Sequence, residues 1–562
     1  MRRPVDPMKP FTESLTPAFS TMIDAWEHRV AESADEPFLH SFADTLTFGQ
    51  VDAQARALAA TLAREGVAAG DRVAIYPQND PLFVVGVLAT WKVGAVGVPI
   101  NPMNTARELR YHLQDSGAVA LVTLPTLWDD VAAEVVADSS VRVTVIGRFR
   151  RWVADDSCVR DETVPGDVQA ARPAPEGTTL LSLEDLVDEA GPGTEPAGTS
   201  GAGGVPTPAV AADDPALLTY TSGTTGNPKG AINTHGNLAF NAETYVQMGG
   251  LEPGQGILAV APLFHITGSV GHLAYGIRGG HPLVLSHRFH PVAVLESIRR
   301  WRPTFTIGAI TALMAMADSP ELKDGDLDNL EVIFTGGAPV APSLSDRLEK
   351  VYGSYIHAAY GMSETASPIT VGPRGERSPV DPDSGSLSVG KAVYDTELRI
   401  VDENGADLPD GEYGEIWARG PQITPGYWGN EEATAAEITD GGFLHTGDVA
   451  FRDAEGWIYL VDRKKDMINA AGYKVWPREV EGILYDHPAV SEAAVVGAED
   501  SYRGETVAAF VTLKAGQGVT EEELVAHCRE QLAAYKIPRS IGILDEMPKT
   551  ATGKIMRRML RE

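Results

Sequence analysis

Residues 219–231 read TYTSGTTGNPKGA, a run of Gly, Ser and Thr that ends in a lysine. The run follows the apolar residues Ala216–Leu218, which read as a strand. Such a loop suits phosphate, because successive backbone N–H groups form anion-binding nests and glycine permits close approach. The common nucleotide loop G-x-x-x-x-G-K-[ST] does not fit. Counted from Gly223, its second glycine falls at 228, where Pro228 stands. Gly230 follows Lys229, where that loop needs a Ser or Thr for magnesium. Two readings stay open for the loop alone. One is a flexible turn after a strand. The other is a different phosphate grip, in which the hydroxyls of Thr221, Ser222, Thr224 and Thr225, the backbone at Gly223 and the ammonium of Lys229 hold a triphosphate.

On either side of the loop, helical patterns alternate with short Val/Ile-rich runs. SFADTLTFGQVDAQARALAATLAREGV (41–67) reads as two strand-forming pieces and an amphipathic helix. DRVAIYP (71–77) reads as a strand, PLFVVGVLATWKVG (81–94) as a helix, and AVGVPI and VALVTL as strands again. PLVLS, TFTIGAI and LEVIFTGG add buried strands further on. Alternation of this kind predicts parallel sheets covered by helices, an α/β fold. From EYGEIWARG to GWIYLVDRKKD the pattern turns to β and predicts a smaller β subdomain. Residues 189–214 are Gly, Ala, Pro and Thr with almost no large apolar side chain, which predicts a flexible loop. The charge cluster RKKD (463–466) precedes a separate α+β pattern. The expected division is therefore a large N-terminal domain, 1–463, and a small mobile C-terminal domain, 464–562.

At roughly 150 residues per domain, 562 residues allow about three or four folding units. The apolar fraction of 43% is that of an ordinary globular chain. A net charge of −31 argues against a nucleic-acid partner, since phosphate backbones select basic patches. The two cysteines, Cys158 and Cys528, lie far apart and outside any metal-like spacing, so a reducing, cytoplasmic setting is expected. MRRPVDPMKPFTESL lacks the apolar core of a signal peptide. The longest apolar run, 81–100, is broken by Lys92, Gly94 and Gly97 and reads as a buried helix and strand, with no stable membrane insertion.

The loop has company. After it come PLFHITG (262–268), FTGGAP (334–339), YGMSET (360–365), FLHTGDVA (443–450), VDRKKDMINAAGYKVWPREVE (461–481) and PKTATGKIMRR (548–558). In wording and order these resemble the adenylate-forming, AMP-binding superfamily of acyl-CoA synthetases, luciferase-like enzymes and peptide-synthetase adenylation domains. The resemblance spans nearly the whole chain. GYKVWPREVE with DRKKDMI looks most like bacterial medium- to long-chain fatty acid–CoA ligases.

The resemblance implies a two-step reaction. A carboxylate attacks the α-phosphate of ATP, pyrophosphate leaves, and a thiol then takes the acyl group from AMP. Both first-step partners are negative, so catalysis must supply positive charge and in-line positioning. By resemblance, Lys554 supplies that charge and Glu364 binds Mg²⁺. Thr221, Ser222, Gly223, Thr224, Thr225 and Lys229 form the triphosphate loop. Tyr360 stacks on adenine, with Gly336, Ala338, Pro339, Gly361, Met362 and Ser363 around the nucleotide. Asp448 and Arg463 meet the ribose. His265 is a wall of the acyl pocket rather than a base, because the nucleophile is already an anion. Thr267, Gly271 and Gly337 line the same pocket, their small size leaving room for a long tail. Lys465 matches the hinge and Gly472 the tunnel for the thiol arm.

The sequence departs from the pattern at Asn469, where several aryl-CoA ligases and luciferases carry lysine. Ile266 stands where amino-acid-activating relatives place an Asp, which disfavours an amino-acid substrate. The expected substrates are a carboxylic acid, in the first place a fatty acid, with ATP and coenzyme A. A carrier protein as acceptor, or an aromatic acid, is the alternative reading. A non-catalytic binder is disfavoured, since Lys554 and Glu364 are both present.

Overall fold

The computed structural model describes residues 11–148, 151, 170, 172–190, 208–221, 227–338, 340–382, 385–463, 466–470, 473–500, 504–514, 516–550 and 555–561. The apolar runs form strands where their pattern predicts them. Arg72–Tyr76, Val96–Pro99 and Ala120–Thr123 lie side by side in parallel. Their buried, β-branched side chains face helices on both sides, as parallel sheets require. The long apolar run supplies the helix Pro81–Lys92, buried over its whole length. Asp80 caps it by accepting from Leu82 N and Phe83 N, and Pro81 opens its first turn. Among the described residues no helix is long and apolar enough to cross a membrane.

Two large sheets share one apolar core. The first has seven strands, ordered Thr179–Ser182, Val143–Ile146, Ala120–Thr123, Arg72–Tyr76, Val96–Pro99, Pro215–Tyr220 and Gly230–Thr234. All its neighbours are parallel except the last pair, the antiparallel hairpin that carries the Gly/Thr loop. The second has nine strands. Its parallel centre includes Phe305–Gly308, Val332–Gly336 and Ile356–Met362, and antiparallel strands close both edges. Val73 and Val122 from the first sheet belong to the same buried cluster as Phe305 and Phe334 from the second.

The predicted β subdomain is an antiparallel sheet of Glu397–Val401, Gly414–Arg419, Leu444–Arg452 and Ile458–Arg463. Beyond it, Ile468–Ala470, Tyr473–Val475, Val490–Asp500, Gly504–Leu513 and Ser540–Ile543 form a last sheet. That sheet and the helices Pro477–Tyr485 and Glu521–Gln531 enclose a core of their own, with Val480, Leu484, Val495, Val511, Leu524 and Cys528. The buried carboxylate of Asp462 joins the two units. It accepts from Arg478 N at the start of helix Pro477–Tyr485 (3.0 Å) and from Arg557 Nη1 near the C-terminus (3.2 Å). Arg557 also makes a two-pronged contact with Glu481 (2.8 and 2.9 Å).

The stretch 189–214, expected as a flexible loop, is ordered at both ends, and its middle, 191–207, lies outside the described residues. The helix Leu183–Ala190 runs into it. At its far end Val210 packs on the core and Ala212 O accepts from Gly236 N at 2.7 Å. One apolar side chain and one well-placed carbonyl outweigh the composition there.

The strand Ile356–Met362 leads into a single 3₁₀ turn, Ser363–Thr365, and doubles back as Ser367–Val371. The reversal puts Ala366 (φ 45°) and Ser367 (φ 94°) in the left-handed region, an uncommon and strained conformation for non-glycine residues. Asn241 Nδ2 holds the turn through Thr365 O (3.0 Å) and Ala366 O (2.7 Å), and Tyr245 Oη meets Ser367 Oγ at 2.8 Å. The two strands are so close that a Cβ at Gly361 would stand 1.7 Å from Ser367 O. Gly361→Ala is therefore expected to destabilise the protein by about 1–3 kcal/mol, the usual cost of overpacking. A lower midpoint in urea would report it, and an unchanged midpoint would contradict the contact.

Candidate active site at the sheet ends

In open α/β sheets, ligands bind outside the carboxyl ends of the strands. Gly336 ends the strand Val332–Gly336, with Gly337 and Ala338 just beyond, and Tyr360 to Glu364 span the end of the neighbouring strand and the turn after it, so both motifs lie at that edge. Thr221 and Lys229, at the two ends of the Gly/Thr loop, approach it from the other sheet. Thr221 N donates to Lys229 O (2.9 Å) and closes the neck of the loop. Behind the neck, Thr219 Oγ1 donates to Asn233 Oδ1 (2.7 Å), and Asn233 Nδ2 donates to Ser363 O (2.9 Å). This wholly buried amide ties the loop's hairpin to the YGMSET turn.

Lys229 and Glu364 meet through two residues that motif reading did not single out. The segment Gly426–Trp428 lies along the strand Gly230–Thr234, with Ile232 N donating to Gly426 O (3.0 Å) and Trp428 N to Gly230 O (2.9 Å). Tyr427 thereby stands beside Lys229, whose Nζ lies 4.8 Å from its ring centre. The Tyr427 hydroxyl contacts Glu364 Oε1 (2.8 Å) and also Glu437. Glu437 in turn pairs with Lys229, Nζ to Oε1 at 2.5 Å. Two carboxylates thus share one lysine and one phenol.

Burial pushes the Glu364 carboxyl above its ordinary value. The Tyr427 hydrogen bond opposes this, the Glu437 charge adds to it, and Lys229 opposes it. Burial, then the Glu364 charge, drives the Tyr427 hydroxyl well above its ordinary value of 10.0, so it stays protonated. A phenol has one proton and serves one carboxylate at a time. The cluster is short of positive charge.

A second cluster lies at the β subdomain. Asp448 and Arg463 are register partners on adjacent strands, with Nε and Oδ1 3.5 Å apart. The buried Tyr360 donates its hydroxyl to Asp448 Oδ2 at 2.7 Å. Tyr360 and Glu364 lie four positions apart on one segment, which couples the two clusters covalently.

The remaining expected residues divide into three groups. Met362 is half-buried and Ser363 buried on the YGMSET turn, while Gly337 and Ala338 are exposed on the loop after Gly336. His265 caps the short turn Ile266–Gly268, its Nδ1 accepting from Thr267 N at 3.3 Å. The room expected beside Gly271 is taken: a Cβ there would stand 2.9 Å from Ile307 Cγ2 and from the Tyr245 ring. Glycine at 271 serves close packing. Ser222, Gly223, Thr224, Thr225, Pro339, Lys465, Gly472 and Lys554 lie outside the described residues.

A family model described as AMP-binding enzyme matches residues 26–428, and one described as AMP-binding enzyme C-terminal domain matches 479–554. The chain belongs to the AMP-binding enzymes. It is 33% identical over 558 residues to a long-chain-fatty-acid–CoA ligase of Escherichia coli O6:H1, covering 98% of this chain and 96% of that one. It is 34% identical over 550 residues to the long-chain-fatty-acid–CoA ligase of Bacillus subtilis strain 168, covering 95% and 92%. The crystal structure of an anthranilate CoA ligase in complex with anthranoyl-AMP superposes with a TM-score of 0.83 at 28% identity, covering 97% of each chain.

The raised Glu364 carboxyl has a consequence for stability. Between the ordinary value of 4.5 and the raised one, the folded protein holds this proton more tightly than the unfolded chain does. Stability therefore falls as pH climbs through that window. Without nucleotide, Glu364→Gln is expected to flatten this fall and to be more stable than the wild type at pH 8. Glu481, also raised by burial, keeps part of the slope. Melting curves from pH 4.5 to 8 would test this, and parallel wild-type and variant profiles would refute it.

Proposed function

We propose that the protein joins a fatty acid to coenzyme A. It is an ATP-dependent acyl-CoA ligase, an AMP-forming acid–thiol ligase. The acid's carboxylate attacks the α-phosphorus, an O–P bond forms, and pyrophosphate leaves. The sulfur of coenzyme A then attacks the acyl carbonyl, and AMP leaves with the electrons of the broken C–O bond. The observation that carries this reading is the single segment 360–364, which presents Tyr360 to the Asp448–Arg463 pair and Glu364 to the Lys229 cluster. A nucleotide laid along that segment has its ribose at one end and its phosphates at the other.

In this reading Asp448 accepts the ribose hydroxyls and Arg463 flanks them. Tyr360 forms the adenine wall, with Gly336, Ala338, Pro339, Gly361, Met362 and Ser363. Lys229 and the loop residues Thr221, Ser222, Gly223, Thr224 and Thr225 hold the triphosphate. Glu364, in a cluster short of positive charge, suits a divalent cation that arrives with the nucleotide. Magnesium takes one or two carboxylates besides phosphate oxygens and waters. When bound, it neutralises phosphate charge.

Lys554 brings positive charge to the carboxylate and α-phosphate. His265, Thr267 and Gly337 line the acyl pocket. Residues 464–562 act as a lid that turns about Lys465 and opens a thiol path past Gly472. The site of action is the cytoplasm.

Mass spectrometry of products from ATP, Mg²⁺ and a panel of fatty and aromatic acids, with and without coenzyme A, tests the reading. Fatty acyl-CoA plus AMP is expected. Turnover of aromatic acids alone would reassign the acid. Acyl-AMP that accumulates despite coenzyme A would point to a carrier protein. Lys554→Ala is expected to slow acyl-AMP formation by on the order of 10²–10³, the usual cost of a lost transition-state charge contact. Thioester formation from supplied acyl-AMP should survive that change.

A further inference from the structure

Glu437 has no place in the roles given so far. It is the last residue of the short helix Glu431–Glu437. A negative charge is unfavourable there, because a helix C-terminus carries partial negative charge of its own. No residue of that helix is buried, so core packing does not fix it. The helix is fastened next to the loop instead. Thr434 Oγ1 accepts from Tyr427 N (3.0 Å), and Tyr427 is itself held on the strand that follows Lys229. The outcome is the 2.5 Å contact with Lys229 and the shared Tyr427 hydroxyl. Lys229 and Glu437 are both about one-third exposed, and pairs this exposed add little to stability. The ion pair alone therefore gives the fold little reason to place a carboxylate here.

We propose that Glu437 is a positioning residue for Lys229. It holds the ammonium over the Tyr427 ring and at the mouth of the loop before nucleotide arrives. A free lysine side chain samples many rotamers, and one held in place loses less entropy when it meets phosphate. An ammonium has three donors, so the pair with Glu437 leaves two for the triphosphate. The inference rests on the reading of the Gly/Thr loop as the triphosphate site. It adds a residue that the loop motif does not contain.

Steady-state kinetics on the full-length enzyme with varied ATP at saturating Mg²⁺ tests this. Lys229 meets the nucleotide before and during the chemical step, so loss of its positioning falls on KM rather than kcat. Glu437→Gln is expected to raise the KM for ATP about tenfold with kcat within about twofold, and Glu437→Asp to recover part of the loss. In a Lys229→Ala background, Glu437→Gln should change the KM no further, because the two residues act as one unit. Thermal melting should show both variants folded as the wild type is. An unchanged KM in Glu437→Gln, or a lowered one, overturns the proposal, the latter by showing that Glu437 competes with phosphate. So does a full additional effect in the Lys229→Ala background. If Lys229→Ala alone leaves the KM for ATP unchanged, the triphosphate reading of the loop falls, and the proposal falls with it. A raised KM in Lys229→Ala beside an unchanged one in Glu437→Gln removes the Glu437 proposal only.

Discussion

One buried side chain, that of Asn233, holds the two halves of the site together. It receives the Thr219 hydroxyl within its own hairpin and gives its amide N–H to Ser363 O on the facing sheet. It ties the hairpin that carries Lys229 directly to the turn that carries Glu364. An amide is suited to this task. It offers donors and an acceptor in one plane, and it stays neutral where a buried charge would need a partner. Asn241, in the second turn of the helix that follows, does the same by pinning Thr365 O and Ala366 O. The strained pair Ala366 and Ser367 stays in the left-handed region because these bonds over-determine it. Rigidity around Lys229 and Glu364 is thus a matter of buried amides rather than of charge.

The charges serve a different end. In the Lys229 cluster they leave a deficit of positive charge, two carboxylates against one ammonium. In the cluster at the β subdomain Asp448 has both Arg463 and the Tyr360 hydroxyl, so it is better compensated. The two ends of the site therefore differ in what they ask of a ligand. One suits a cation accompanied by phosphate, the other a neutral group with hydroxyls to give. A nucleotide with its metal answers both demands at once, which accords with the family to which the chain belongs.

Much of this was legible in the sequence. Apolar runs of four to six residues between helical patterns marked the parallel strands, because a strand buried on both faces needs a near-continuous apolar run. Tyr360, Glu364, Asp448, Arg463 and Lys229 announced themselves through their motifs, and the fold brings them to one edge. Tyr427 and Glu437 did not. Their part depends on a segment far along the chain lying beside the strand after the loop, and no local pattern encodes that pairing. Asn233 and Asn241 were hidden for a related reason. A polar residue inside a helix or strand pattern reads as a solvated position until the facing carbonyls are known. Gly271 was misread because a small side chain signals either open space or a close neighbour, and here Tyr245 and Ile307 are the neighbours. At 208–214, composition counted against order, but a few well-placed contacts suffice.

The carboxylate of Asp462 has an implication for mechanics. It belongs to the last strand of the β subdomain, yet it is bound by the first helical turn of the C-terminal unit and by Arg557, with the Arg561–Asp466 pair alongside. The polypeptide that enters the C-terminal unit and the polypeptide that finishes it are fastened to one post. A body hung in this way has a short lever at its root and a long one at its rim. A small turn at such a post would sweep the far loops through a wide arc.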